Sequence, residues 1–145
     1  GTELLAVRVD LERSEPRRAV KIVGMASKIL VVEDDQDIRQ LLHLQLSAAG
    51  FETAFARDAA TALAVVRKER PNLILLDIGL PAGDGFVVME RMRAIPDLEM
   101  LPVIVITARG ALEGEKAVAL GARSYFQKPF DAGALVAEIR RTLGG

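Results

Sequence analysis

The sequence predicts an α/β domain: a doubly wound parallel sheet of five strands, in the order 2-1-3-4-5, with five helices. Two observations predict this fold class. From Lys28 onward, short aliphatic runs alternate with longer helix-like segments, and turn-forming residues separate them. Several of the aliphatic runs are continuous rather than alternating in polarity, which is typical of strands that helices cover on both faces.

The predicted strands are the aliphatic runs themselves. They are Ile29 to Val32, Thr53 to Ala56, Leu73 to Leu76, Val103 to Ile106 and Tyr125 to Gln127. The first, third and fourth runs contain only aliphatic residues, which favours central positions in the sheet.

Start and stop signals bound the predicted helices. The helices are Asp37 to Ala49, a segment capped by Asp58 that runs through Glu69, Asp84 to Ala94, Leu112 to Leu120, and Ala132 to Leu143. Gly50 and Gly121 are placed to end the first and fourth helices, and Pro71 and Pro96 follow the second and third.

Residues 1–24 differ in character from the rest of the chain. Apolar and polar residues alternate from Leu5 to Leu11, a pattern that fits an added edge strand or an interface arm. Met25 stands immediately before the first strand, which favours a leader or a cloning-derived extension instead. We therefore predict an extension over residues 1–24 and one domain over residues 25–145.

Composition excludes several classes of protein. The 145 residues suffice for one domain with a sizeable core, and 19 basic against 20 acidic residues give a net charge of -1. No global basic field favours nucleic acid, and the absence of cysteine excludes disulfides and thiolate sites. The sequence also lacks an apolar run of membrane-spanning length and a signal peptide, so we expect a soluble, cytoplasmic protein.

Polar side chains follow four of the predicted strands. They are Glu33, Asp34 and Asp35 after the first strand, Asp77 after the third, Thr107 after the fourth and Lys128 after the fifth. Because the carboxyl ends of parallel strands meet at one edge of a sheet, we expect these side chains to converge.

Such a cluster of carboxylates calls for a cation. Two carboxylates about 4 Å apart repel by roughly 4 kcal/mol at an effective dielectric constant of about 20. Oxygen ligands without histidine or cysteine suit Mg²⁺. A hydroxyl and an ammonium opposite the metal suit a tetrahedral anion, and a carboxylate can act as the nucleophile that acquires it. We assign that role to Asp77.

From Lys28 to Leu143 the chain resembles the receiver domain of two-component response regulators, in the manner of stand-alone chemotaxis regulators. The matching pieces are KILVVEDD, LLDIGLPAGDG, VIVITA and the pair Lys128-Pro129, in the family's order and at its usual separations. The resemblance implies the flavodoxin-like fold already predicted. It also implies a signalling switch rather than an enzyme, with Mg²⁺-dependent self-phosphorylation and autodephosphorylation.

The resemblance assigns roles around the metal. Asp77 matches the phosphoacceptor, which is also a metal ligand. Glu33 and Asp34 match the acidic pair: Asp34 binds Mg²⁺ directly and Glu33 mainly through metal-bound water. The backbone carbonyl of Gly79 is the third implied protein ligand, and Mn²⁺ can replace Mg²⁺.

Further roles concern the phosphoryl group. Thr107 matches the hydroxyl that bonds its oxygens, and Lys128 the cation that holds another oxygen. The Lys128-Pro129 bond is expected to be cis. Tyr125 matches the switch aromatic that turns inward when Thr107 moves toward the phosphate.

Three residues match positions that tune the site. Gly79 and Arg109, each two residues after a matched site residue, are expected to influence the lifetime of the aspartyl phosphate. Ala108 is small, as a bound phosphoryl group requires.

The resemblance implies protein partners. The donor is a sensor histidine kinase or a histidine phosphotransfer protein, and a downstream effector reads a surface over about Leu112 to Leu143. A phosphorylation-dependent homodimer is allowed, whereas nucleic acid and membrane binding by this chain are not expected. Either the chain acts alone or an output domain has been removed or lost.

Other interpretations remain open. Asp35 and Asp37 are left out of the site, because either can cap the first helix. His43, mid-helix among leucines, is interpreted as a partly exposed packing residue. Two contrasting classes are a metal-dependent phosphatase or phosphotransferase, which would want an acid where Gly79 stands, and a pseudo-receiver that is never phosphorylated.

Overall fold

The computed structural model describes residues 26–80 and 85–144, over which strands and helices alternate strictly. The strands are β1 (Lys28–Val32), β2 (Glu52–Ala56), β3 (Leu73–Asp77), β4 (Val103–Thr107) and β5 (Ser124–Gln127). The helices are α1 (Gln36–Ala48), α2 (Ala59–Glu69), α3 (Gly85–Arg93), α4 (Ala111–Ala119) and α5 (Ala132–Gly144). The predicted N-terminal extension and Asp84, the predicted first residue of the third helix, lie outside the described residues.

All strand pairs are parallel, and the order is β2-β1-β3-β4-β5, which confirms the predicted topology. The register pairs Val32 with Leu76 and Asp77 with Ile106. The carboxyl ends of the strands therefore lie along one edge of the sheet, and the loops that follow them share that edge.

Two apolar clusters cover the two faces of the sheet. Leu30 and Val32 of β1 point into the cluster that α2, α3 and α4 cover, while Ile29 and Val31 point into the cluster under α1 and α5. Successive side chains of a strand face opposite sides, so a strand buried on both sides needs apolar residues at every position. This requirement explains the continuous aliphatic runs.

The helix boundaries have clear chemical causes. Asp35 is the N-cap of α1, because its carboxylate accepts hydrogen bonds from the backbone N–H of Asp37 at 2.8 Å and of Ile38 at 3.2 Å. Of the two candidate caps, Asp35 therefore fills the role. Asp58 caps α2 as predicted.

At the other end of α1, the predicted C-cap was misplaced by one residue. Ala49 is the C-cap, and Gly50 follows it with a φ of +96°, a conformation that favours glycine. The glycine thus ends the helix from the position just outside it.

None of the helices in residues 26–80 and 85–144 combines the length and the apolar character that crossing a membrane requires.

Gly85 provides a test of the packing between α3 and the end of β3. A Cβ at this position would lie 2.7 Å from Ile78 Cα and 2.8 Å from the Asp77 carbonyl oxygen, both backbone atoms that cannot move cheaply. We expect Gly85→Ala to lower the free energy of unfolding by about 1 to 3 kcal/mol, measured by urea denaturation.

Gly133→Ala is the matched control, because a Cβ there meets only Asp131 Oδ2 at an ordinary 3.5 Å near the start of α5. It should be neutral or stabilise by up to about 1 kcal/mol. Equal effects of the two substitutions would contradict the packing argument.

Candidate functional site

Glu33 and Asp34 directly follow β1 at the carboxyl edge of the sheet. The backbone N–H of Glu33 donates to the Ala56 carbonyl at 3.0 Å, which extends the pairing with β2 by one residue. This pairing keeps the Glu33 side chain fully buried, whereas Asp34, one residue later, is exposed. The two carboxylates thus differ in burial: that of Glu33 is inside the protein and that of Asp34 is open to solvent.

Asp77 is the last residue of β3 and is 5% exposed. Its Oδ1 accepts a hydrogen bond from the Gly79 backbone N–H at 2.8 Å. Suitable oxygens of Asp77, Glu33 and Asp34 lie within 4.8 Å of one another. The structure therefore brings together the three carboxylates that strand order predicted.

Lys128 lies between two of these carboxylates. Its Nζ is 2.8 Å from Glu33 Oε1 and 3.2 Å from Asp77 Oδ2, and the ammonium is largely buried. The backbone N–H of Lys128 donates to the Thr107 carbonyl at 2.8 Å, and the Lys128-Pro129 peptide bond is cis. The end of β5 thus places the Lys128 ammonium beside the carboxylates at the ends of β1 and β3.

The ionisation of Glu33 and Lys128 is perturbed. Burial raises the pKa of Glu33 from about 4.5 to about 7; the Asp77 charge adds to this rise, and the Lys128 hydrogen bond opposes it. Burial alone would lower the pKa of Lys128, but its hydrogen bonds and charge interactions with Glu33 and Asp77 raise it. The ammonium therefore stays protonated, while Glu33 titrates near neutral pH.

Thr107 ends β4 next to the Asp77 strand and is fully buried. Its Oγ1 accepts a hydrogen bond from the Arg109 backbone N–H at 2.8 Å. Since that bond uses an acceptor lone pair, the hydroxyl hydrogen of Thr107 can still be donated. Ala108, between the two, is small and exposed.

Gly79 and Arg109 lie close together above Asp77. A Cβ at Gly79 would be 3.3 Å from Asp77 Oδ1 and 3.6 Å from Arg109 Nε. The missing side chain at Gly79 therefore leaves a gap beside the Asp77 carboxylate, and the Arg109 side chain borders that gap.

Tyr125 is half-buried on β5 and packs against the apolar cluster on the α2, α3 and α4 side. Its ring occupies the space where a Gly114 side chain would be, since a Cβ there would lie 2.2 Å from Tyr125 Cδ1. Gly114, in the middle of α4, is thus what lets the Tyr125 ring lie against the helix.

The acidic cluster fits a hard cation. Its donors are carboxylate oxygens from Glu33, Asp34 and Asp77, and Asp34 opens the cluster to solvent. Mg²⁺ prefers oxygen ligands and retains several waters, so a shallow site of this kind suits it.

A separate cavity of about 220 Å³ lies at the opposite edge of the sheet. It is lined by Met89, Met92, Arg93, Leu98, Glu99, Leu101, Val103, Leu120 and Gly121. None of these residues belongs to the predicted site, which lies at the acidic edge instead.

Two residues with contacts at the site were missed by sequence reasoning. Arg39 donates from Nη1 to the Glu33 carbonyl at 2.8 Å, and Gly114 accommodates Tyr125. A strand-end pattern could not reveal either residue, because both lie within helices. His43, in contrast, bonds Thr53 Oγ1 at 2.7 Å and contacts the Phe55 ring edge, in agreement with a packing role.

Comparison with known proteins finds a matching family model and similar sequences. Residues 29–140 match the family model described as the response regulator receiver domain. Over 108 residues the chain is 42% identical to sporulation initiation phosphotransferase F of Bacillus subtilis, which covers 74% of this chain and 86% of that protein.

Two further relatives agree. The probable transcriptional regulator ycf27 of Cyanophora paradoxa is 39% identical over 80% of this chain, which spans only 48% of that longer protein. The crystal structure of a putative response regulator from Chloroflexus aurantiacus has a TM-score of 0.78 at 30% identity, over 83% of this chain and 99% of the other. The family model, the sequence relatives and the solved structure therefore agree on one family.

The raised pKa of Glu33 predicts a pH-dependent stability in metal-free buffer. Unfolded Glu33 loses its proton near pH 4.5, whereas native Glu33 retains it up to about pH 7. Between these values the native state binds more protons, so the free energy of unfolding falls as pH rises.

The amide side chain introduced in the Glu33→Gln variant cannot ionise. This variant should therefore lack the fall in the free energy of unfolding that ionisation of Glu33 causes. We expect the wild type to lose stability relative to Glu33→Gln between pH 4.5 and pH 7, measured by urea denaturation in EDTA. A stability difference that does not change with pH would show that Glu33 titrates at its ordinary pKa.

Proposed function

The chain belongs to the response regulator receiver domain family, and on that premise we propose that Asp77 is its phosphoacceptor. The observation that carries the proposal is the convergence of the Glu33, Asp34 and Asp77 carboxylates at the carboxyl edge of the sheet, where the Lys128 ammonium bonds Glu33 and Asp77. The donor is a phosphohistidine on a sensor kinase or a histidine phosphotransfer protein.

The proposed reaction is an in-line transfer. An Asp77 carboxylate oxygen attacks phosphorus, the new O–P bond forms as the P–N bond breaks, and the donor imidazole takes a proton from solvent. Glu33, Asp34, Asp77 and the Gly79 carbonyl would hold Mg²⁺. When bound, the ion neutralises charge that develops on the phosphoryl oxygens.

Lys128 and Thr107 supply the remaining charge stabilisation. The Lys128 ammonium lies 3.2 Å from Asp77 Oδ2, so it is placed to hold an oxygen of a phosphoryl group attached to Asp77. The Thr107 hydroxyl can donate to another oxygen while it still accepts from the Arg109 N–H.

Phosphorylation would act as a switch on the neighbouring surface. A phosphoryl group adds about -1.5 to -2 charges and three acceptor oxygens, which would draw Thr107 toward the phosphoryl group. Tyr125, on the adjacent strand, would then follow. The proposed output surface comprises α4, β5 and α5, where Leu112 is 78% exposed and Val118 is 41% exposed. Exposed apolar side chains of this kind can bind an effector protein.

The direct test is phosphorylation with a small donor. The protein is incubated with acetyl phosphate and Mg²⁺ and then weighed by mass spectrometry. We expect a gain of one phosphoryl group in the wild type and none in Asp77→Asn, because the amide is not nucleophilic. EDTA should abolish the gain.

The other classes of function predict different results. A wild type that gains no mass in the presence of Mg²⁺ would indicate a pseudo-receiver. Rapid multiple turnover of assorted phosphoesters would indicate a phosphatase.

The Arg109 side chain is expected to prolong the lifetime of the aspartyl phosphate. Since Arg109 borders the gap that Gly79 leaves beside Asp77, its removal should admit water to the phosphoryl group. We expect Arg109→Ala to accelerate dephosphorylation by roughly two- to tenfold, or about 0.4 to 1.4 kcal/mol in the barrier. The rate is followed by the loss of phosphoprotein after removal of the donor.

Arg123→Ala is the control, because Arg123 is exposed at the opposite edge of the sheet, just before β5. It should leave the rate unchanged. An Arg109→Ala rate equal to that of the wild type would remove Arg109 from any tuning role.

A further inference from the structure

The loop that links β1 to α1 carries two of the three clustered carboxylates. We call residues Glu33–Asp35 the acidic loop. We infer that Arg39, on the first turn of α1, is a positioning residue that fixes this loop for metal binding. The inference rests on the proposed Mg²⁺ site and concerns how this chain builds it.

Arg39 holds the acidic loop at both ends. Its guanidinium Nη1 donates to the Glu33 carbonyl at 2.8 Å, and its backbone N–H donates to the Asp35 carbonyl at 3.0 Å. Asp34 lies between these two anchored carbonyls. A single residue of α1 therefore restrains the backbone on either side of Asp34.

Asp34 depends on this restraint more than its neighbours do. The Glu33 carboxylate is held by Lys128 and by the Asp35 N–H, and the Asp35 carboxylate is held by its capping bonds. In the described part of the chain, the exposed Asp34 carboxylate has no hydrogen-bond partner that could set its direction. The orientation of its backbone must therefore set it.

The Glu33 carbonyl is the point at which that orientation is controlled. The Glu33 N–H is already fixed by its bond to the Ala56 carbonyl. That bond fixes the preceding peptide plane, between Val32 and Glu33. The next plane, between Glu33 and Asp34, carries the Glu33 carbonyl, and the guanidinium anchors it there through a charge-assisted bond. Without Arg39, rotation of this plane would swing Asp34 relative to Asp77.

The sign of the change in Mg²⁺ affinity on removal of Arg39 distinguishes a positioning role of this residue from an electrostatic one. A guanidinium beside a metal site is a like charge, so its removal would strengthen Mg²⁺ binding if charge alone acted. If Arg39 acts by fixing the acidic loop, its removal weakens Mg²⁺ binding although the surroundings become more negative. The two explanations predict opposite signs.

Arg140 provides a matched control. Its Nη2 donates to the Ala49 carbonyl at 2.9 Å, at the far end of α1, and its guanidinium lies over the Phe51 ring. Arg140→Met thus removes the same type of bond, of nearly the same length, without touching the acidic loop. A loss of general stability would appear in both variants, but a change in metal affinity would appear only for Arg39.

The experiment measures Mg²⁺ affinity in the phosphate-free protein by NMR titration with magnesium chloride. We expect the dissociation constant to rise about tenfold in Arg39→Met, as for residues that orient metal ligands, and by less in Arg39→Lys. In Arg140→Met it should stay within about twofold of the wild type. An Arg39→Met constant that is unchanged or lower would overturn the inference.

A metal-free measurement supports the same conclusion without relying on binding. In EDTA, the Asp35 amide hydrogen, which bonds Glu33 Oε2 at 3.2 Å, should exchange several-fold faster in Arg39→Met and unchanged in Arg140→Met. Equal exchange in the wild type and Arg39→Met would also overturn the inference.

Two further outcomes are decisive. Should Arg39→Met fail to fold, Arg39→Lys carries the test, because it keeps the charge but not the planar fork; wild-type affinity in that variant would overturn the inference. A wild type that binds no Mg²⁺ would overturn the proposed site itself. Normal wild-type binding with no effect at Arg39 would overturn only the role of Arg39.

Discussion

The charge balance among Glu33, Asp77 and Lys128 is the interaction on which the arrangement of the site depends. Two buried carboxylates at the ends of neighbouring strands repel strongly in surroundings of low polarity. One ammonium, reaching from the end of β5 across β4, bonds both of them. In the sequence, Lys128 lies 95 positions from Glu33 and 51 positions from Asp77. With Asp34 beside them, a single cation does not balance the negative charge, and this imbalance favours a second, divalent one.

The two-sided core makes this balance possible. Strands buried on both faces hold their backbones rigidly, so their carboxyl ends are fixed relative to one another, and the loops beyond them can present polar side chains at the surface. Rigid strands position Asp77 and Thr107, and short loops add Asp34, Gly79 and Arg109. Charge, hydroxyl and backbone N–H are thus presented together at one edge of the sheet.

Most of the fold and the clustering of the candidate site residues could be predicted from the sequence, because a parallel sheet sends every strand end to the same edge. The directions of long side chains could not. The sequence assigned Lys128 only to a phosphoryl oxygen, whereas the structure places its ammonium between two carboxylates. Arg39 carries no local pattern, since its contact depends on how α1 docks beside the end of β1. The role of Gly114 could not be predicted either, because the ring that it accommodates, that of Tyr125, lies on another element, β5.

The contact between Gly114 and Tyr125 has an evolutionary consequence. The ring of Tyr125 fills the space that any Cβ at position 114 would need, so a larger residue at 114 excludes the ring from its present place. Position 114 can therefore gain a side chain only if the ring moves or is replaced. Among close homologues, glycine at 114 and an aromatic residue at 125 should therefore be inherited together, and a lineage that acquires a side chain at 114 should reveal a repacked or smaller residue at 125.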